Sequence, residues 1–134
     1  MPQDLHLGPL GQVSLVVRDI QRAERFYGDT LHLSHLFTFG DLAFFDVAGT
    51  RIFLREVPDD EWRQGSILYF AVDDIHASYG ALLATGVVTQ RKPQRIHTHD
   101  DGTEEWMAFF EDPDGNTLAL MARVRSAAPQ VKER

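Results

Sequence analysis

Apolar residues alternate along residues 12–18, with Val13, Leu15 and Val17 on one side and Gln12, Ser14 and Val16 on the other. That period of two predicts a half-buried strand. Asp19 follows as a helix N-cap, because its carboxylate can accept an orphan amide of the first turn. Ile20, Ala23, Phe26, Tyr27 and Leu31 then recur at helical spacing. Strands are predicted around residues 33–39, 42–47 and 50–57, separated by Gly40-Asp41 and Ala48-Gly49. After a polar link over residues 58–65 the order begins again. A strand over 66–72 leads to a helix capped by Asp74, carrying Ile75, Tyr79, Leu82 and Leu83, and closed by Gly86. Strands follow around 87–92, 104–110 and 117–124, and the polar, aperiodic residues 125–134 read as a frayed tail.

The order is therefore β-α-β-β-β, twice: residues 13–20 align with 68–75, and 49–54 with 115–120. A duplicated unit of this kind buries one shared core and builds one site where its copies meet. The expected fold is α+β, with two βαβββ modules (about residues 10–57 and 65–124) forming a curved eight-stranded mixed sheet, helices on its outer face, as a single domain. Val13, Leu15, Val17, Ile52, Leu54, Leu68, Phe70, Val72, Leu118 and Leu120 supply the helix-covered face. The strand period then puts Gln12, Ser14, Arg51, Phe53, Arg55, Ile67, Tyr69, Thr117, Ala119 and Met121 on the opposite face. That set is too mixed for a core and too apolar for plain surface, so it reads as a pocket wall. A four-residue loop over 112–115 would place Trp106 opposite Met121 and add it to the wall. The same arithmetic around residues 46–49 puts Phe44 opposite Arg51.

Composition narrows the field. At 134 residues the chain is long enough for a proper core. No apolar run approaches the roughly 18 residues that cross a membrane. The first nine residues have neither a basic nor an apolar targeting segment. The absence of cysteine removes disulfides and thiolate chemistry, and fits a cytoplasmic location. A net charge of −7 without a Lys/Arg run argues against nucleic-acid binding.

The motifs Val17-Arg18-Asp19 with Ala23, Phe26 and Tyr27, Phe70-Ala71-Val72-Asp73-Asp74-Ile75, and Phe110-Glu111-Asp112-Pro113-Asp114-Gly115-Asn116 resemble those of the vicinal oxygen chelate superfamily. This superfamily contains glyoxalase I, the bleomycin-resistance proteins and the extradiol dioxygenases. The resemblance spans about residues 11–123. It implies paired βαβββ modules around a cleft, and in metal-dependent members one ligand from the first strand and one from the last strand of each module. Those positions here are Gln12, Phe53, Ile67 and Ala119. A divalent ion wants carboxylate or imidazole donors. Only Gln12 offers even a weak one, so neither a metal nor another cofactor is expected there.

His97 and His99 at i, i+2 on a strand could ligate zinc with Asp100, Asp101 or Glu104, or serve as acid or base; the alternative is an exposed polar hairpin. Asp112-x-Asp114-x-Asn116 has its glycine at loop position four and Arg123 where a calcium loop needs Glu, so a hairpin turn is preferred. Arg51 and Arg55 could hold a carboxylate or phosphate, or pair with Glu105 or Glu111. Phe44, Phe53, Tyr69 and Trp106 could form an aromatic slot. His32 follows the first helix where the resembling family often has Gly. The reading that unites these points is a metal-independent protein that binds a small antibiotic-like, aromatic or carbonyl compound, assembled as a homodimer. The alternative is a glyoxalase-like lyase or isomerase using His97, His99 or Tyr69 for proton transfer.

Overall fold

A computed structural model describes residues 4–125. The chain divides into two compact units at Gly65/Ser66. Each is one β-α-β-β-β module with a four-stranded mixed sheet.

In the first unit, β1 (Gln12–Val17) runs parallel to β4 (Thr50–Glu56), which pairs antiparallel with β3 (Leu42–Val47), and β3 with β2 (Ser34–Phe39). Asp19 caps α1 (Ile20–Glu24) by accepting the amide of Arg22. The helix then widens into a π-helical stretch, Arg25–Thr30, in which the Leu31 amide reaches back to the Phe26 carbonyl. His32 ends it at φ +61, the left-handed conformation that costs a residue with a Cβ roughly 1 kcal/mol relative to glycine. Leu15, Val17, Ile20, Ala23, Tyr27, Phe45, Ile52 and Leu54 are buried between helix and sheet. Burying a ring such as Phe45 contributes about 1.5–3 kcal/mol. The Trp62 indole N–H donates to the Val16 carbonyl, and Arg18 lies 4.2 Å over the same indole.

The second unit repeats the plan: β5 (Leu68–Ala71) is parallel to β8 (Thr117–Arg125), then come β7 (Thr103–Glu111) and β6 (Thr89–Thr98). Asp74 caps α2 (Ile75–Ala84) by accepting the Ala77 amide, and Gly86 (φ +82) follows it. Three register shifts interrupt the pairing of β6 with β7, and the strand continues to Thr98, well beyond the expected residue 92. Arg125, expected in the tail, closes β8; residues 126–134 lie outside the described residues.

The β7–β8 connection corrects one expectation. Glu111 pairs with Thr117, so the loop holds five residues, 112–116. Buried Asp112 organises it: Oδ1 accepts the amides of Asp114 and Asn116 at 2.9 Å, and Oδ2 accepts the Asn116 side-chain amide at 2.8 Å. The extra residue turns β7 over relative to a four-residue loop. Trp106 pairs with Ala122 and not with Met121. It therefore stands on the helix-covered face, with its ring 5.0 Å from His76 of α2.

Candidate functional site

Each sheet has one face covered by its helix and one open face, and the open faces carry most of the expected wall residues. In the first unit the register aligns three rows across the strands. The middle row is Ser14, Phe53, Phe44 and Phe37. Its three rings stack, with centroids 4.9 Å apart for Phe53–Phe44 and 4.4 Å for Phe44–Phe37, the first pair within 3° of parallel. Gln12, Arg51 and Asp46 form the row on one side, and Val16, Arg55, Leu42 and Phe39 the row on the other. The Arg51 guanidinium donates to Gln12 Oε1 at 2.8 Å and lies 5.0 Å over the Phe44 ring. It is thus held with part of its donor fork committed and with an aromatic face beneath it. Phe44 faces Phe53 and not Arg51, because the β3–β4 turn has two residues, Ala48 and Gly49. A shift of two keeps Phe44 on the expected face.

In the second unit the corresponding row is Tyr69, Ala119, Phe109 and Arg91. Tyr69 and Phe109 meet edge to face at 5.9 Å across Ala119, which is fully buried despite its place on the open face. Ala71, Met121, Met107 and Gln94 form the next row. Ile67, just before β5, is partly exposed. Trp106 is separated from Tyr69 and Met121 by the sheet itself. It lines a recess of about 350 Å³ with Asp73, Asp74, His76, Glu104 and Val124, and its indole N–H donates to Glu104.

The histidine pair closes the far end of the second unit's open face. His97 pairs with Glu105 across β6 and β7, and the His97 and His99 rings meet at 4.6 Å. His99 Nε2–H donates to Glu105 Oε2 at 2.8 Å, and Arg123 Nε donates to the same oxygen at 3.1 Å. The hydrogen bond from His99 holds the Glu105 carboxyl below the ordinary glutamate range, with the Arg123 charge assisting. Asp101 is likewise lowered, first by the backbone amide of Thr103. Asp100, Asp101 and Glu104 were the expected companions of the histidines; Glu105 is the one that meets them.

The residues do not fit the metal centre that the resemblance would imply. Gln12 supplies a single amide oxygen, already bonded to Arg51, and Phe53, Ile67 and Ala119 supply no donor. Among the described residues, no group of three or more His, Asp or Glu side chains is placed to hold an ion. Sequence reasoning missed Phe37, Phe109 and Met107 on the open faces. Phe37 and Phe109 follow from the same alternation once Phe44 and the five-residue loop are fixed.

Comparison with known proteins agrees with this geometry. Residues 9–120 match the family described as the Glyoxalase/Bleomycin resistance protein/Dioxygenase superfamily. The YraH protein of Bacillus subtilis (strain 168), described as uncharacterized, is 30% identical over 127 residues, covering 81% of this chain and 94% of that protein. Among solved structures, a glyoxalase/bleomycin resistance protein/dioxygenase from Alicyclobacillus acidocaldarius superposes with a TM-score of 0.69 at 17% identity, over 84% of this chain and 89% of that one. A lactoylglutathione lyase from Agrobacterium tumefaciens does so at 0.65 and 19%, over 87% and 94%. At these identities the two structures speak for the fold alone.

Proposed function

The chain belongs to the Glyoxalase/Bleomycin resistance protein/Dioxygenase superfamily, and from that premise we propose that it is a metal-independent binding protein for a partly planar small molecule carrying an acidic or carbonyl group. One observation carries the reading: the open face of the first module joins three stacked phenylalanine rings to an arginine fixed by Gln12. Aromatic faces supply contact area and a few polar anchors fix orientation. The chain's negative charge would favour cationic ligands at long range, but exposed charges beyond about 10 Å are largely screened, so the local arginines set the preference at the face. The four positions where metal-dependent members would place ligands hold Gln12, Phe53, Ile67 and Ala119, a set that favours binding over metal chemistry.

We test the reading with 2-naphthoate and its neutral analogue, naphthalene-2-methanol, titrated by calorimetry. Arg51→Ala should weaken the acid and spare the alcohol, while Phe44→Ala should weaken both. Equal affinity of all three proteins for both compounds refutes the proposal.

We further propose a homodimer. The edge strand β2 leaves Leu36 and Phe39 exposed; an open apolar edge is a template for pairing with a second chain, and two-fold dimers are the commonest oligomers. Sedimentation showing only monomer at micromolar concentration counts against it. The His99–Glu105 pair supports a second reading, a lyase or isomerase acting on a small carbonyl compound. Glu105 would fix the tautomer and leave the other ring nitrogen of His99 as base. That reading requires deuterium exchange into the methyl group of pyruvate above the buffer rate, abolished by His99→Ala.

A further inference from the structure

The two modules solve the same row of the sheet in opposite ways. Ser14 and Tyr69 are equivalent in the repeat, as are Phe53 and Ala119, and Phe44 and Phe109. The register confirms each pair: Ser14 lies beside Phe53 and Tyr69 beside Ala119 on the parallel strands, and Phe44 and Phe109 come next. In the second module the large ring stands on the first strand. Tyr69 leans over Ala119 to reach Phe109, and Ala119 is completely covered. In the first module the large ring stands on the last strand. Phe53 stacks on Phe44, Phe44 on Phe37, and the row then ends on the hydroxymethyl group of Ser14, which is exposed.

The stack therefore advances across the sheet one ring per strand and stops one strand short. Adjacent strands are about 4.8 Å apart, close to the ring spacing of 4.9 Å between Phe44 and Phe53. A further flat ring above Ser14 would sit in step with the three already there. With Phe44 stacked on one face of Phe53, the other face is on the β1 side, toward this place. The slot has a charged residue at either end, Arg51 with Gln12 in the row before it and Arg55 with Val16 in the row after it.

We propose that the place above Ser14 is a slot one aromatic layer thick, and that it takes an aromatic carboxylate whose flat ring system completes the Phe37–Phe44–Phe53 stack while its acid group meets an arginine at one end. This rests on the open-face binding reading above and makes it specific. The smallness of Ser14, which looks like a gap in an otherwise aromatic row, is what selects the ligand. Bulk at position 14 should therefore act as a built-in competitor, as Tyr69 does for the corresponding place in the second module.

The test compares Ser14→Ala, Ser14→Phe and Arg51→Ala for 2-naphthoate binding by calorimetry, with thermal melting to verify folding. Ser14→Ala should bind within about twofold of the native protein, and Ser14→Phe about tenfold or more weakly, as ring contact and its area are lost together. In the native protein, saturating 2-naphthoate should also move the Ser14 amide resonance by the ring current of an overlying aromatic, a readout that needs no variant. Unchanged affinity in Ser14→Phe with weakening in Arg51→Ala overturns the slot and leaves open-face binding standing. Unchanged affinity in both variants, or no binding of 2-naphthoate by the native protein at millimolar concentration, overturns both. An unmoved Ser14 amide in a protein that binds 2-naphthoate overturns the slot alone.

Discussion

Replacing Asp112 with alanine removes the acceptor that organises the β7–β8 loop, and the structure sets the size of the effect. The carboxylate accepts two backbone amides and one side-chain amide, all within 2.9 Å, and both Asp112 and Asn116 are buried. Each buried donor left without its acceptor costs about 1–3 kcal/mol. Water entering the vacated space offsets part of this, so the expected loss is roughly 3–5 kcal/mol, a large share of the about 5–15 kcal/mol of a typical domain. Asp112→Asn keeps an acceptor for the backbone amides but sets a donor against the Asn116 amide, and should cost roughly 1–2 kcal/mol. Urea unfolding followed by tryptophan fluorescence reads both. A loss below about 1 kcal/mol for Asp112→Ala, with the slope against urea unchanged, would show that the loop holds its five-residue form without this carboxylate. The consequence reaches the proposed binding face, because that loop length decides which side chains of β7 face the open side.

Further outcomes follow from individual contacts. Trp106→Ala should leave 2-naphthoate affinity unchanged, since the indole faces α2, and should lower stability by roughly 1–3 kcal/mol, less than the about 3–5 for a fully buried ring; weakened binding without loss of stability would return Trp106 to the open face. Phe45→Ala, at a fully buried position, should cost about 3–5 kcal/mol in the same unfolding assay. The lowered Glu105 carboxyl stabilises the fold above the ordinary glutamate range, and this contribution disappears as pH falls through the lowered value. Melting temperatures of the native protein and Glu105→Gln should therefore differ at neutral pH and converge in acid; a constant difference would mean that the His99 contact does not set the shift.

The repeat, both helix caps and the helix-facing strand positions were legible because each depends on local spacing. Asp19 and Asp74 stand one residue before their apolar runs, and Val13, Leu15 and Val17 alternate without interruption. Trp106 was misplaced because its face depends on one count, the length of a loop, and Pro113-Asp114-Gly115 is compatible with four residues or five. What decides for five is the burial of Asp112, a tertiary fact that no pattern in the segment announces. The His99–Glu105 contact was hidden for a similar reason: irregular pairing in β6 sets which carboxylate of β7 the histidine meets. The stack of Phe37, Phe44 and Phe53 spans three strands, so it emerges only when both registers are known.

Under the proposed function, binding at the open face needs no metal. Titration of 2-naphthoate into chelator-treated protein, repeated with added zinc, nickel or manganese, decides this. The same affinity is expected in every case, with no effect of the metal on the Arg51→Ala loss. Binding that appears only with an added divalent ion, and vanishes in Gln12→Ala, would refute metal-independent binding.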